Sequence, residues 1–171
     1  GKDSTVMTHL VMDEARERGG IVGLLIIDLE AQYKHTIDHI REIVEEYKDN
    51  IDLHWFCGEL LLRNAVSDFQ PKWVAWDEDN KEIWVREKPE EAADLSQYTF
   101  FQPKMEFEEF MVLFGKWYAG DDLTAAFIGI RADESLHRYR AIVSEKKNMT
   151  YNKWKWTTKI TKSLYNVYPI Y

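Results

Sequence analysis

The chain has 171 residues, 45% apolar and 30% charged, a balance that excludes a disordered or low-complexity protein. With 22 basic against 30 acidic residues its net charge is −8, which argues against this stretch gripping nucleic acid by itself, and no apolar run approaches the roughly 18–20 residues of a membrane span. A single cysteine, Cys57, excludes an intramolecular disulfide framework and any paired-cysteine metal or redox site, and with no leader pattern at its start the chain reads as cytoplasmic.

Residues 3–18 read as a helix with Val6, Leu10, Val11 and Ala15 on one face, Asp3 or Ser4 as cap and Gly19-Gly20 as stop. Residues 21–28 (IVGLLIID) are a near-continuous apolar run of strand length, the pattern of a strand buried on both faces in a parallel sheet. A second helix spans 30–47, with Tyr33, Ile37, Ile40, Val44 and Tyr47 on its stripe, and a second strand spans 51–56. This alternation implies βαβ units. Residues 60–66 read as a short helix, and 73–76 with 82–86 as a hairpin around the polar turn 77–81. Residues 88–102 read as a Pro- and acid-rich loop, and 106–118 as a helix carrying Phe107, Phe110, Met111, Phe114, Trp117 and Tyr118. Residues 123–130 (LTAAFIGI) are a third buried strand, 131–143 a loop becoming a short helix, 146–156 an aromatic-studded loop and 165–171 the start of a fourth strand.

Three strand-end or helix-start segments carry chemistry. Gly1-Lys2-Asp3-Ser4-Thr5 opens a helix, so free N–H groups, the helix dipole, two hydroxyls and an ammonium converge where phosphate oxygens can sit. Asp3 can hold Mg²⁺ bridging such phosphates; the plain alternative is an ordinary helix cap. Asp28 closes the first apolar strand, where open α/β sheets bind ligands, and its plain alternative is an N-cap of the next helix. The third segment, residues 129–140, leaves a buried strand with Gly129, then Arg131, Ser135, Arg138 and Arg140; clustered guanidinium groups suit oxyanions, against a salt-bridged helix in which Glu134 meets Arg138. The tryptophans Trp73, Trp76, Trp84, Trp154 and Trp156 either cover a cleft or form a satellite core, and the core is the favoured reading. His35 and His39 lack a third ligand and read as a surface pair, and Cys57 as a buried thiol.

Taken in this order, the three segments resemble the PP-loop ATP pyrophosphatase superfamily, and within it the phosphoadenosine-phosphosulfate (PAPS) reductase-like family. Residues 1–4 (GKDS) resemble the end of that family's SGGxDS loop, Asp28 its strand-end acid, and residues 129–135 (GIRADES) its later arginine loop. The phrases IDLEAQY, FGKWY and YNVYPIY look closest to the immunoglobulin-binding-regulator-type subgroup of bacteria and their mobile elements. The resemblance implies a Rossmann-like, HUP-type (adenine nucleotide alpha hydrolase-like) α/β three-layer sandwich with a parallel sheet. It would be a single domain over 1–171 with an aromatic-rich hairpin insertion at 57–105. It implies an adenine-nucleotide substrate, ATP with Mg²⁺ or PAPS, and adenylation or sulfur transfer as the reaction. Gly1, Lys2, Asp3, Ser4 and Thr5 would contact phosphates, Asp28 would lie near the nucleotide, and Gly129, Arg131, Ser135 and Arg138 would meet phosphate, sulfate or the second substrate. Lys2, Asp3 and Arg131 would be the catalytic set, by charge stabilisation. FAD, haem and an iron–sulfur cluster have no support in the chain. The family's first strand and the reductases' C-terminal cysteine have no counterpart here, so the chain reads as an excerpt of a longer protein and sulfonucleotide reduction is unsupported. The competing expectation is an inactive regulatory module that keeps the fold and offers its aromatic insertion to a protein partner, and a third, weaker one is nucleic-acid modification with a duplex or tRNA as second substrate, against which the acidic balance argues.

Overall fold

The computed structural model describes residues 1–143 and 149–169. Its contacts divide into two compact units, one of Ala15–Leu113 and one of Gly1–Glu14 with Phe114–Tyr171. The class is mixed α/β, and each unit contains parallel strand pairing.

Helix α1 (Lys2–Arg18) ends in a Schellman turn: Gly20 N–H reaches Ala15 O at 2.8 Å, Gly19 N–H reaches Arg16 O at 3.2 Å, and Gly19 sits at φ 63°. The helix matches its expected bounds, but its apolar face is turned. Val6 and Leu10 are exposed, whereas Met12 and Ala15 are buried. Alternating polar and apolar residues leave α1 without a strong stripe, so packing chooses the face.

In the unit of Ala15–Leu113, β1 (Val22–Ile27) and β2 (Ile51–Phe56) pair in parallel, Val22 opposite Ile51 and Ile27 opposite Phe56. Between them runs α2 (Lys34–Glu46), which buries Ile37 and Ile43. This is the expected βαβ order. Two expectations are corrected here. Strand β1 is half-buried along its whole length rather than buried on both faces. Helix α2 starts at Lys34, not at residue 30, with Tyr33 as its exposed cap, so Asp28 is not an N-cap. Tight turns before Tyr33, with Ala31 N–H on Leu29 O and Gln32 N–H on Glu30 O, separate Asp28 from the helix, and its Oδ1 accepts Glu30 N–H at 3.0 Å.

The middle of the chain also differs. Residues expected as a short helix form β3 (Leu60–Arg63), which pairs antiparallel with β4 (Lys72–Ala75) and parallel with β5 (Met105–Glu106). The hairpin therefore joins 60–63 to 72–75. Residues 82–86 do not form its second arm, because Glu78–Ile83 winds as a 3-10 helix capped by the Asp77 carboxylate. Leu60, Ala75 and Trp76 are fully buried, and Phe56 is ringed by Tyr98, Phe101 and Phe110, the last at 4.2 Å between centroids. Helix α3 (Phe107–Ala119) then carries the chain out of this unit, closed by Gly120 at φ 55°.

The other unit holds a three-stranded sheet ordered β6 (Thr124–Phe127), β8 (Leu164–Val167), β7 (Thr157–Lys159). Strands β6 and β8 are parallel; β7 is antiparallel to β8 and had no counterpart among the expected strands. A 3-10 turn (Ala132–Glu134) and α4 (Leu136–Val143) follow β6, as expected from a loop becoming a short helix. Residues 146–148 of the expected late loop and residues 170–171 of the expected last strand lie outside the described residues. Among the described residues, no helix is long and apolar enough to cross a membrane.

Candidate functional site

Two of the three sequence motifs meet. Gly1 lies just before α1, and its carbonyl accepts the Thr5 N–H at 3.1 Å and the Thr5 hydroxyl at 3.3 Å. The N–H groups of the first turn, with Lys2, Asp3 and Ser4, have no carbonyl within the helix to bond, and the positive end of the helix dipole adds to them. Strand β6 delivers Gly129 directly onto this turn. A Cβ at position 129 would stand 2.7 Å from Ser4 Cα and 2.9 Å from Ser4 N, so only glycine allows the approach. Two residues on, Arg131 Nε lies 3.3 Å from Asp3 Oδ2 and 3.5 Å from Asp133 Oδ1. That Nε is buried and makes no hydrogen bond. Residues 125 positions apart in the chain thus build one cradle of helix-start amides and guanidinium, a geometry suited to an anion.

The arginine loop is braced by its own acid. The Glu134 carboxylate accepts the Arg131 N–H at 3.0 Å and also bonds the Arg138 guanidinium. The backbone bond first, and the Arg138 bond second, hold the Glu134 carboxyl below its ordinary 4.5. Ser135 Oγ accepts the Arg138 N–H at 3.2 Å and so caps the start of α4. Arg131 is therefore the guanidinium set against the helix start, while Ser135 and Arg138 shape the loop behind it. Asp3 is the one acid in the first turn of α1. Among the described residues no group of three or more His, Cys, Asp or Glu side chains could hold a metal by itself. A single carboxylate fits a magnesium ion that arrives on phosphate oxygens, which commonly needs only one or two.

Asp28 belongs to the other unit, where it is 2% exposed. Its carboxylate takes the Arg86 guanidinium in a close pair, the Trp55 indole N–H at 3.0 Å and the Glu30 amide. Its main-chain carbonyl accepts the Trp76 indole N–H at 2.7 Å. Arg86 also lies over the Trp76 ring at 5.1 Å. Glu30 and Trp76 both adopt left-handed backbone, φ 67° and 53°, and Glu30 accepts the amides of Trp76 and Val85, each at 3.0 Å. Strain of this kind persists only where surrounding bonds over-determine it. Here the bonds tie residues 76–86 to the end of β1, so the Asp28 oxygens are engaged inside the chain.

Trp73, Trp76 and Trp84 pack as core, as favoured, beside a cavity of about 340 Å³ lined by Trp73, Trp84, Asp77 and Asn80, whereas Trp154 departs from that reading at 46% exposed. Burial pushes the Cys57 thiol up to about 12, with the Asp28 charge adding to the effect, so it is a poor nucleophile. His35 and His39 are exposed on α2. Arg86 and Trp55 were not singled out from the sequence: each sits in a run that reads as strand, and nothing local marks a partner 58 or 27 positions away.

The chain matches the family model of the phosphoadenosine phosphosulfate reductase domain over residues 1–171. It is 38% identical over 174 aligned positions to a protein of Escherichia coli (strain K12) described as "Uncharacterized protein YbdN". The alignment covers all of this chain and 42% of that relative, so the chain spans less than half of the relative's length. No solved structure matches the chain.

Proposed function

Because the chain belongs to the phosphoadenosine phosphosulfate reductase domain family, we propose that it is the nucleotide-binding part of an enzyme acting on an adenine nucleotide, ATP or PAPS, by adenylation or sulfur transfer. The observation that carries the reading is the contact of Gly129 with Ser4, which sets the Arg131 guanidinium beside the first turn of α1. In this reading Gly1, Lys2, Ser4, Thr5 and Gly129 line the phosphate cradle, and Lys2 and Arg131 offset charge developing on transferred oxygens. Asp3 orients Arg131, and its carboxylate would be the group to hold a magnesium ion, which would supply charge neutralisation at the phosphates. Asp28 lies in the other unit with its carboxylate occupied by Arg86, and it has no part in this cradle. Cys57, buried and protonated, does not serve as a reductase thiol in this reading. One domain with residues 57–105 as insertion, a HUP-type sandwich, a cytoplasmic setting and the immunoglobulin-binding-regulator-type subgroup belong to the same proposal.

The filled Asp28 carboxylate favours a second reading, a regulatory module that keeps the fold without turnover. Its insertion would then serve a protein partner through Val66, Phe69, Ile83 and Val85, all exposed. Turnover separates the two. Wild-type protein is incubated with Mg²⁺ and ATP, or with PAPS, with water and an added thiol as acceptors of the adenylyl or sulfonyl group, and assayed for pyrophosphate or for loss of the sulfonyl group. The enzyme reading expects product from one nucleotide and a loss of about a hundredfold or more in Arg131→Ala. Binding without product from either nucleotide supports the regulatory module instead.

A further inference from the structure

All 30 acidic residues lie before residue 146, while the last 26 residues carry six lysines and no acid. The net charge of −8 thus conceals a cationic stretch, and counting charge over the whole chain hides it. Four of those lysines, Lys153, Lys155, Lys159 and Lys162, fall among the described residues, interleaved with aromatic rings. Trp154 and Trp156 stack at 4.9 Å with 13° between their planes. Tyr151 sets its edge against Trp154 at 5.6 Å and against Tyr165 at 5.3 Å. Trp154 nevertheless keeps 46% of its surface exposed, as core tryptophans such as Trp55 and Trp76 do not.

The turn that presents these rings is built. Thr157, 2% exposed, donates its hydroxyl to Trp154 O at 2.8 Å and accepts the Tyr151 N–H at 2.8 Å. Asn152 and Lys153 take left-handed backbone, φ 47° and 63°, to make the bend. Strand register fixes where the turn emerges. Thr157 pairs with Val167, and Val167 with Phe127, so the start of β7 and the ends of β8 and β6 share one edge of the sheet. Gly129 and Arg131 leave from that same edge. At about 4.8 Å per strand, the turn lies roughly 10 Å across the sheet from them. Helix α4, bearing the exposed Arg140, packs against β7.

Stacked indoles between lysines are what a flexible polyanion with flat rings requires, because every base has a π-face and every linkage a charge. A duplex hides those faces inside its stack, and an acidic peptide has no use for them. We infer that the turn of residues 151–159 is a contact surface for single-stranded nucleic acid, with bases stacking on Trp154 and phosphates meeting Lys153, Lys155 and Lys159. The inference stands apart from the nucleotide reading, since no residue of the α1 cradle enters it.

The test is fluorescence anisotropy of labelled oligothymidylate and oligouridylate with the full protein, across a salt series, beside ATP and PAPS titrations. Expected are binding that weakens with salt at a log–log slope of about −2 for three phosphate contacts, and a loss of about fivefold to a hundredfold in Trp154→Ala. The double variant Lys153→Glu with Lys155→Glu is expected to flatten the slope; it leaves the stacked rings in place and keeps the test valid should Trp154→Ala unfold. No oligonucleotide binding at low salt overturns the inference, even if ATP or PAPS binds. So does equal binding of duplex, or displacement by heparin with Trp154→Ala unchanged, which is charge alone. An equal loss of ATP or PAPS affinity in Trp154→Ala also overturns it, by giving the ring to the nucleotide. Oligonucleotide binding without nucleotide binding leaves the inference intact and removes the proposed activity.

Discussion

Glycine at 129 and arginine at 131 do different work within three positions of chain. Gly129 is a matter of space: the Ser4 backbone occupies the volume a side chain would need. Arg131 is a matter of charge, held 3.3 Å from Asp3 with its Nε buried and unbonded. The bracing acid, Glu134, gives a pH signature. Its carboxyl is held below 4.5 by bonds to Arg131 and Arg138, so its contribution to the loop is present above 4.5 and is lost as pH falls through the lower folded value. The protection factor of the Arg131 amide, which removes the intrinsic pH dependence of exchange, is expected to hold down to 4.5 and to fall below it; Glu134→Gln should lower it at neutral pH, and unchanged protection there contradicts the brace. Cys57 gives a second test at this scale. A thiol 2% exposed and pushed up to about 12 should alkylate about a hundredfold or more slowly than an exposed cysteine until the protein is unfolded in urea. Fast labelling of the native protein contradicts its burial.

Among elements, the pair of β1 with the 76–86 segment is the one whose energetics are most exposed to test. Asp28 neutralises Arg86, whose side chain keeps 22% of its surface in solvent and whose Nε is buried without a hydrogen bond. Asp28→Ala strands that cation over the Trp76 ring, and a loss of about 3 kcal/mol in urea unfolding is expected, the low end of the buried-pair range because Arg86 retains some solvent. A loss under about 1 kcal/mol contradicts the tie. Elements also show what the sequence could carry. Helices with glycine stops, α1 and α3, were legible because capping is local, and β1, α2 and β2 because an apolar run, a 3.6-residue stripe and a second run follow one another. Residues 60–66 misread because LLLR is short enough for either state and its partners at 72–75 and 105–106 lie outside any local window. Residues 82–86 misread because Val85 N–H answers to Glu30, the Trp84 indole to the Asp77 carbonyl and Arg86 to Asp28, not to a strand.

For the molecule as a whole, the family and the α/β class were readable from three short motifs in order, whereas the two-unit division of contacts and the split into three small sheets were not. Pairing between distant segments is decided by packing, which no window of sequence contains. The candidate cradle was half legible. Its residues stood out, but the ion pair of Arg131 with Asp3 and the filling of Asp28 by Arg86 appear only in three dimensions. Charge distribution teaches the same lesson, since a net charge of −8 coexists with a C-terminal stretch free of acids. The central claim is that the start of α1 and the loop after β6 form one anion cradle for an adenine nucleotide. Calorimetric titration of ATP with Mg²⁺, and of PAPS, into wild type, Gly129→Ala and Arg131→Ala tests it most directly, with circular dichroism confirming that each is folded. The account predicts saturable binding of one nucleotide to wild type, weakened about tenfold or more in both folded variants. Binding that is absent from folded wild type, or equal in all three, contradicts it.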